Sequence, residues 1–180
     1  MKKLLFFCWL LFLANSSTGQ TAVKLPVAFI PMFGNENLVV EAPAYILANG
    51  SPVEIKVVRF YISGGQLYQD NRLIFEERNS SHLIDAAYKQ TLSFHLNLPA
   101  TVNCNTIKFN VGIDSLTNVS GALGGDLGPT KGMYWTWQSG YINFKQEGKS
   151  PLCKTRKTNL HFTWVVTRNP SKHFKKYCFR

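Results

Sequence analysis

The sequence predicts an all-β fold, an antiparallel β-sandwich or barrel-like single domain. Three observations carry this. Apolar residues alternate with polar ones over several short segments, the period of a strand buried on one face. Clusters of Gly, Asn, Asp and Ser separate those segments as turns do. No segment keeps a 3.6-residue apolar repeat over three turns, and only Ser81 to Gln90 has room for a single turn of helix.

The first residues stand apart from the fold. Lys2 and Lys3 precede an unbroken apolar run from Leu4 to Ala14, and Ser17 and Gly19 suit a cut before Gln20. This is the pattern of a secretory signal, and the run is too short to span a bilayer as a helix. Phe6 and Phe7 before Cys8 do not form the small-residue site that lipid attachment needs. Residues 1–19 are therefore expected to be a signal peptide, 20–156 the β domain and 157–180 an atypical basic tail. About 160 residues remain after cleavage, enough for one domain with a core.

Taken in order, Val23, Leu25, Val27 and Phe29 fall on one face of an opening strand that Pro26 and Pro31 restrict to an edge. A turn at Gly34 to Asn37 and a short strand at Leu38 to Glu41 complete an expected hairpin. Val53, Ile55 and Val57 share one parity, and Val58, Phe60 and Ile62 the other, so a bulge is expected at Val57 and Val58. Gly64 and Gly65 end or kink that strand, and Leu67 to Phe75 forms a hairpin arm turning at Asp70 and Asn71. Gln90 to Leu98 and Cys104 to Asp114 each alternate as half-buried strands, the second with Ile107, Phe109, Val111 and Ile113 inward. Asp114 to Lys131 is a long polar loop, of a length that is commonly functional or mobile. It leads into Gly132 to Gly148, an aromatic stretch expected to be the central strand, with Met133, Trp135 and Trp137 on one face.

The net charge of +10 is not spread over the body. Lys154, Arg156, Lys157, Arg168, Lys172, Lys175, Lys176 and Arg180 close the chain without an acidic residue among them. Without these and the signal's lysines the chain is neutral, which argues against a phosphate-tracking surface and so against nucleic acid. Cys104, Cys153 and Cys178 survive cleavage, and no Cys-x-x-Cys spacing supports zinc. In an exported protein Cys104 and Cys153 are the expected disulfide pair, leaving Cys178 odd.

No enzyme is expected. Ser139 lacks the flanking glycines of a nucleophile elbow, and the phosphate-loop and dinucleotide fingerprints are absent. Asp114 and Asp126 are too few for a calcium loop. His82, His95, His161 and His173 could serve copper only if the fold gathers them, since no two lie at a ligand spacing. Trp135 and Trp137 read first as core residues.

The segments RFYIS (Arg59 to Ser63), HLIDA (His82 to Ala86), IKFNVGIDSLTN (Ile107 to Asn118) and LGPTKGMYWTWQSGYINFKQEG (Leu127 to Gly148) together resemble the MbnP-like family of exported copper-binding proteins. The resemblance covers about Val23 to Arg156 and implies an all-β domain, placed in the periplasm or at the cell surface. It implies that a tryptophan, Trp135 or Trp137, is oxidised to kynurenine by a diheme partner of the MauG-like cytochrome c peroxidase type. Kynurenine then helps to bind copper, with His82 as the ancillary ligand. The alternative is an exported β-sandwich binding or surface module without metal.

Three departures accompany the resemblance. Gly128 stands where relatives usually carry Asp, the first strand lacks a histidine in Phe29 to Phe33, and the chain beyond Arg156 loses the family pattern. An abrupt change near Lys157 is what a frameshift produces, and by the resemblance it would leave the C-terminal end of the domain incomplete; a genuine basic tail is the other reading.

Overall fold

The computed structural model describes residues 22–99, 101–135, 140–154, 158–164 and 175–177, the last group and residues 163–164 by backbone alone. Strands β1 (Val23–Ala28), β2 (Met32–Phe33), β3 (Glu36–Asn37) and β4 (Tyr45–Ile46) precede the long β5 (Pro52–Gln69). Then come β6 (Arg72–Glu76), β7 (Ser81–Asp85), β8 (Ser93–Leu98) and β9 (Thr106–Val111). A short helix, α1 (Ser115–Val119), leads to β10 (Tyr134–Trp135), β11 (Gly140–Tyr141), β12 (Phe144–Lys149), β13 (Asn159–Trp164) and β14 (Lys175–Tyr177). The fold is all-β, and every pairing among the described strands is antiparallel.

The central strand is β5, not the aromatic stretch. Its run of Val, Ile, Phe and Tyr suits a pleated surface buried on both faces. Along one edge β5 pairs with β12 and then β9; along the other it pairs with β7 and then β6. The chain from Gly132 to Gly148 instead reverses on itself, because Tyr134 pairs with Tyr141 and Trp135 with Gly140 before β12 joins the sheet.

The parity step in β5 is a bulge centred on Lys56, since Val57 faces Glu147 and Ile55 faces Gly148. It lies a residue or two before the expected position. Gly148 allows it: a Cβ there would overlap the Glu54 carbonyl oxygen. A second bulge sets Gly64 and Gly65 against Phe109 alone, as Ser63 pairs with Asn110 and Gln66 with Lys108. Gly64 takes φ +60°, which kinks the strand without ending it. The hairpin into β6 turns at Asp70 and Asn71 as expected, both at positive φ (48° and 67°), the backbone of a type I′ turn.

Two apolar layers flank the sheet. On one face Tyr61, Leu83, Ile113, Met133, Tyr141 and Ile142 form a buried cluster. On the other, Leu67, Leu96 and Leu98 pack with Val23, Leu25 and Val27 of a separate β1–β8 ribbon. The first strand thus pairs with β8 across the molecule; the local hairpin is only β2 with β3. Phe29 extends this layer by touching Phe60, Phe94 and Phe109.

β8 buries Leu96 and Leu98 as its alternation predicts, whereas β9 does not follow suit: all six of its residues are exposed. β9 lies at an edge among the described strands, where one face of the pleat is only partly covered. Helical structure in the Ser81 to Gln90 region is limited to a 3₁₀ turn at Lys89–Thr91.

Candidate functional site

The candidate site is the hairpin that carries Trp135, and its frame is assembled from the four sequence segments quoted above. Met133 is wholly buried, and its carbonyl accepts a hydrogen bond from Ile142 N at 2.8 Å. Trp135 and Tyr134 are half-buried against the cluster of Tyr61, Leu83, Met133 and Tyr141. The Tyr134 ring meets Tyr141 edge-on at 4.9 Å, and Tyr141 meets Tyr61 at 6.2 Å. Such edge-to-face contacts fix ring orientation as well as burying area.

Polar side chains hold this layer from below and above. Asn118 Oδ1 accepts from Tyr141 N at 2.7 Å, and the Asn118 side chain lies beside Gly140. Asn143, fully buried, accepts at Oδ1 from Ile113 N at 2.8 Å, while its Nδ2 has no hydrogen-bond partner. Gly112 is required beside it, because a Cβ would lie 2.8 Å from Asn143 Oδ1 and φ is +109°. Arg59 Nε pairs with Asp85 Oδ2 at 2.6 Å, and Arg59 Nη1 donates to the Lys131 carbonyl at 3.1 Å.

The long loop of residues 114–131 is pinned to the same layer. Tyr141 Oη accepts from Leu123 N and donates to Gly121 O; Tyr61 Oη donates to Asp126 O. Burial above all, then the neighbouring Tyr141 and Asp126, holds the Tyr61 phenol well above the ordinary tyrosine value, so it stays a donor. Asp126 Oδ2 accepts from Leu83 N at 3.0 Å, and Asp114 caps α1 through Thr117 N at 2.9 Å. Asp114 thus serves the loop's own helix, while Asp126 ties the loop to β7. The loop is anchored, and its length goes into three short turns that cover the cluster.

Of the other expected site residues, His82 is not drawn to Trp135. His82 lies in β7 with its ring stacked on Phe94, centroids 3.8 Å apart, and its Nε2 lies 3.0 Å from Glu77 Oε2. Its neighbour Leu83 belongs to the tryptophan cluster, so alternation along β7 puts His82 on the opposite face of the sheet. His95 is exposed on β8 and His161 lies on β13. Trp137, His173 and Cys178 lie outside the described residues. No group of three or more His, Cys, Asp or Glu that could hold a metal occurs among the described residues. These donors alone do not fit a copper ion.

The Cys104–Cys153 bridge is not formed. Cys104 is an exposed free thiol and Cys153 is buried. Asn105 bonds Tyr68 at the far end of β5, while Lys149, just before Cys153, pairs with Glu54 at its start. At roughly 3.3 Å per residue the two ends lie tens of ångströms apart, against about 7 Å at most between bridged Cα atoms.

Residue type alone does not mark Arg59, Asp85, Asn118 and Asn143 as site residues. The legible signal was a polar residue inside an apolar run, as with Asn143 between Ile142 and Phe144. Against this frame, the family model described as MbnP matches residues 22–176. The chain belongs to the MbnP family. No curated protein and no solved structure matches it. The MbnP match continues through most of the basic tail, and there β13 pairs with β12 from Lys149–Asn159 to Phe144–Trp164. No helix among the described residues is long and apolar enough to cross a membrane.

Proposed function

We propose that this MbnP-family chain is an exported copper-binding protein of the periplasm or cell surface, a carrier or scavenger rather than an enzyme. In this reading Trp135 or Trp137 is oxidised to kynurenine, which supplies ligands for the copper. Family membership over residues 22–176 is the observation that carries this reading. In the reaction a diheme partner spends two peroxides, each reduced to water, to place one oxygen on C2 and one on C3 of the indole and to break the bond between them, which leaves a ketone and an N-formyl group. Hydrolysis then releases the formyl carbon as formate. The products are a ketone oxygen and an aniline nitrogen where an inert N–H donor stood. The half-buried position of Trp135 supports the reading, since a wholly buried ring would be closed to a partner enzyme.

One observation favours a second reading, an exported binding or surface module without metal: His82 is already engaged by Glu77 and Phe94. Copper retention separates the two. Protein purified from cells that express the diheme partner is expected to hold copper through desalting, and protein from cells lacking the partner to lose it. Equal loss from both would leave the module without metal as the function.

A further inference from the structure

Arg59 is a charged side chain placed at the entry to the tryptophan hairpin by two side-chain contacts. Its Nε lies 2.6 Å from Asp85 Oδ2, a carboxylate that is 7% exposed. The second carboxylate oxygen is occupied as well, accepting from Ala87 N at 3.0 Å. Asp85 thus fixes the guanidinium from the β7 side, and the fork can point only one way. It points its Nη1 at the Lys131 carbonyl, 72 residues further along the chain.

The next residue shows that the approach is close. Gly132 sits at φ +69°, and a Cβ there would lie 3.3 Å from Arg59 Nη1. Glycine lets the backbone lie on the guanidinium and turn in the same step. One residue later Met133 is fully buried, and two later Tyr134 begins the pairing with β11. The path from Lys131 to Trp135 is short, so the direction set at Lys131 sets where the Trp135 ring meets its cluster.

We propose that Arg59, held by Asp85, is a positioning residue that fixes the Lys131–Trp135 segment and thereby presents the tryptophan hairpin for oxidation. The role in oxidation rests on the function proposed above; the positional role does not. A lysine could keep the charge opposite Asp85 but has no fork with which to reach Lys131 at the same time.

The test is Arg59→Lys in the full chain, read by hydrogen exchange along the backbone and by the kynurenine fraction after co-expression with the diheme partner. Exchange is expected to quicken about tenfold at Gly132 to Trp135, with β5, β7 and β12 unchanged, because only that segment loses its tether. The kynurenine fraction is expected to fall by more than half. Unchanged exchange at Gly132 to Trp135 would overturn the proposal. So would faster exchange spread over β5, β7 and β12, which would make Arg59 a residue of general stability. A local exchange effect in a chain that the partner never converts, wild type included, would uphold the positional role and sink the copper reading instead.

Discussion

At Asp85 the charge is nearly out of water and both oxygens are spoken for, so its partner Arg59 is what makes its burial tolerable. Asp85→Ala leaves a guanidinium without its counter-charge and frees the Ala87 amide. It is expected to lower unfolding free energy by about 3 kcal/mol, read from the urea midpoint. Asp114 offers a pH-dependent counterpart. Partial burial pushes its carboxyl up, but hydrogen bonds from the Thr117 side chain and from the Thr117 and Leu116 backbone outweigh this and hold it below the usual carboxylate range. A depressed folded-state value means stability present above the unfolded value and lost as pH falls through the folded one. Asp114→Ala should therefore cost about 1 kcal/mol at neutral pH, and the gap to wild type should close in acid. A gap that stayed constant down to the acid limit would show that the charge is not what caps α1. At this scale the sequence was least legible: His82 looked like a ligand because residue type was visible, while its stacking on Phe94 depends on a ribbon paired from the other end of the chain.

Elements were read more fully than their partners. Alternation located β5, β8 and β9, and the turn at Asp70 and Asn71 was plain, because period and turn chemistry are local properties. Pairing is not local: β1 finds β8, and β5 gathers β12, β9, β7 and β6. The exposure of β9 shows the same limit, since its Ile, Phe and Val pattern says which residues share a face but not whether anything covers it. Gly148→Ala tests the bulge of β5, for no side chain fits against Glu54 there. It is expected to cost more than about 2 kcal/mol and to perturb amide exchange in both β5 and β12. Tyr141→Phe tests the pinning of the long loop. It removes the acceptor of Leu123 N and the donor to Gly121 O, at a cost of about 1–2 kcal/mol, with faster exchange confined to residues 115–127.

Over the whole molecule, the four sequence segments that resembled a family prove to be one structural frame. Arg59 from the first meets Asp85 from the second; Ile113 and Asn118 from the third meet Asn143 and Tyr141 from the fourth. Their common product is a fixed hairpin bearing Trp135, which is why they were recognisable together while their contacts were not. The basic tail was set apart by its charge, yet part of it supplies β13 to the sheet, since strand pairing depends on backbone and apolar pattern more than on net charge. The proposed function requires that a tryptophan of this hairpin, Trp135 or Trp137, be chemically altered. Trypsin releases Gly132 to Lys145, a peptide holding both Trp135 and Trp137. In protein from cells that express the diheme partner, its fragment masses should show a gain of about 4 dalton at one of the two tryptophans, the change from indole to kynurenine. The same peptide recovered at its unmodified mass from those cells would contradict the account.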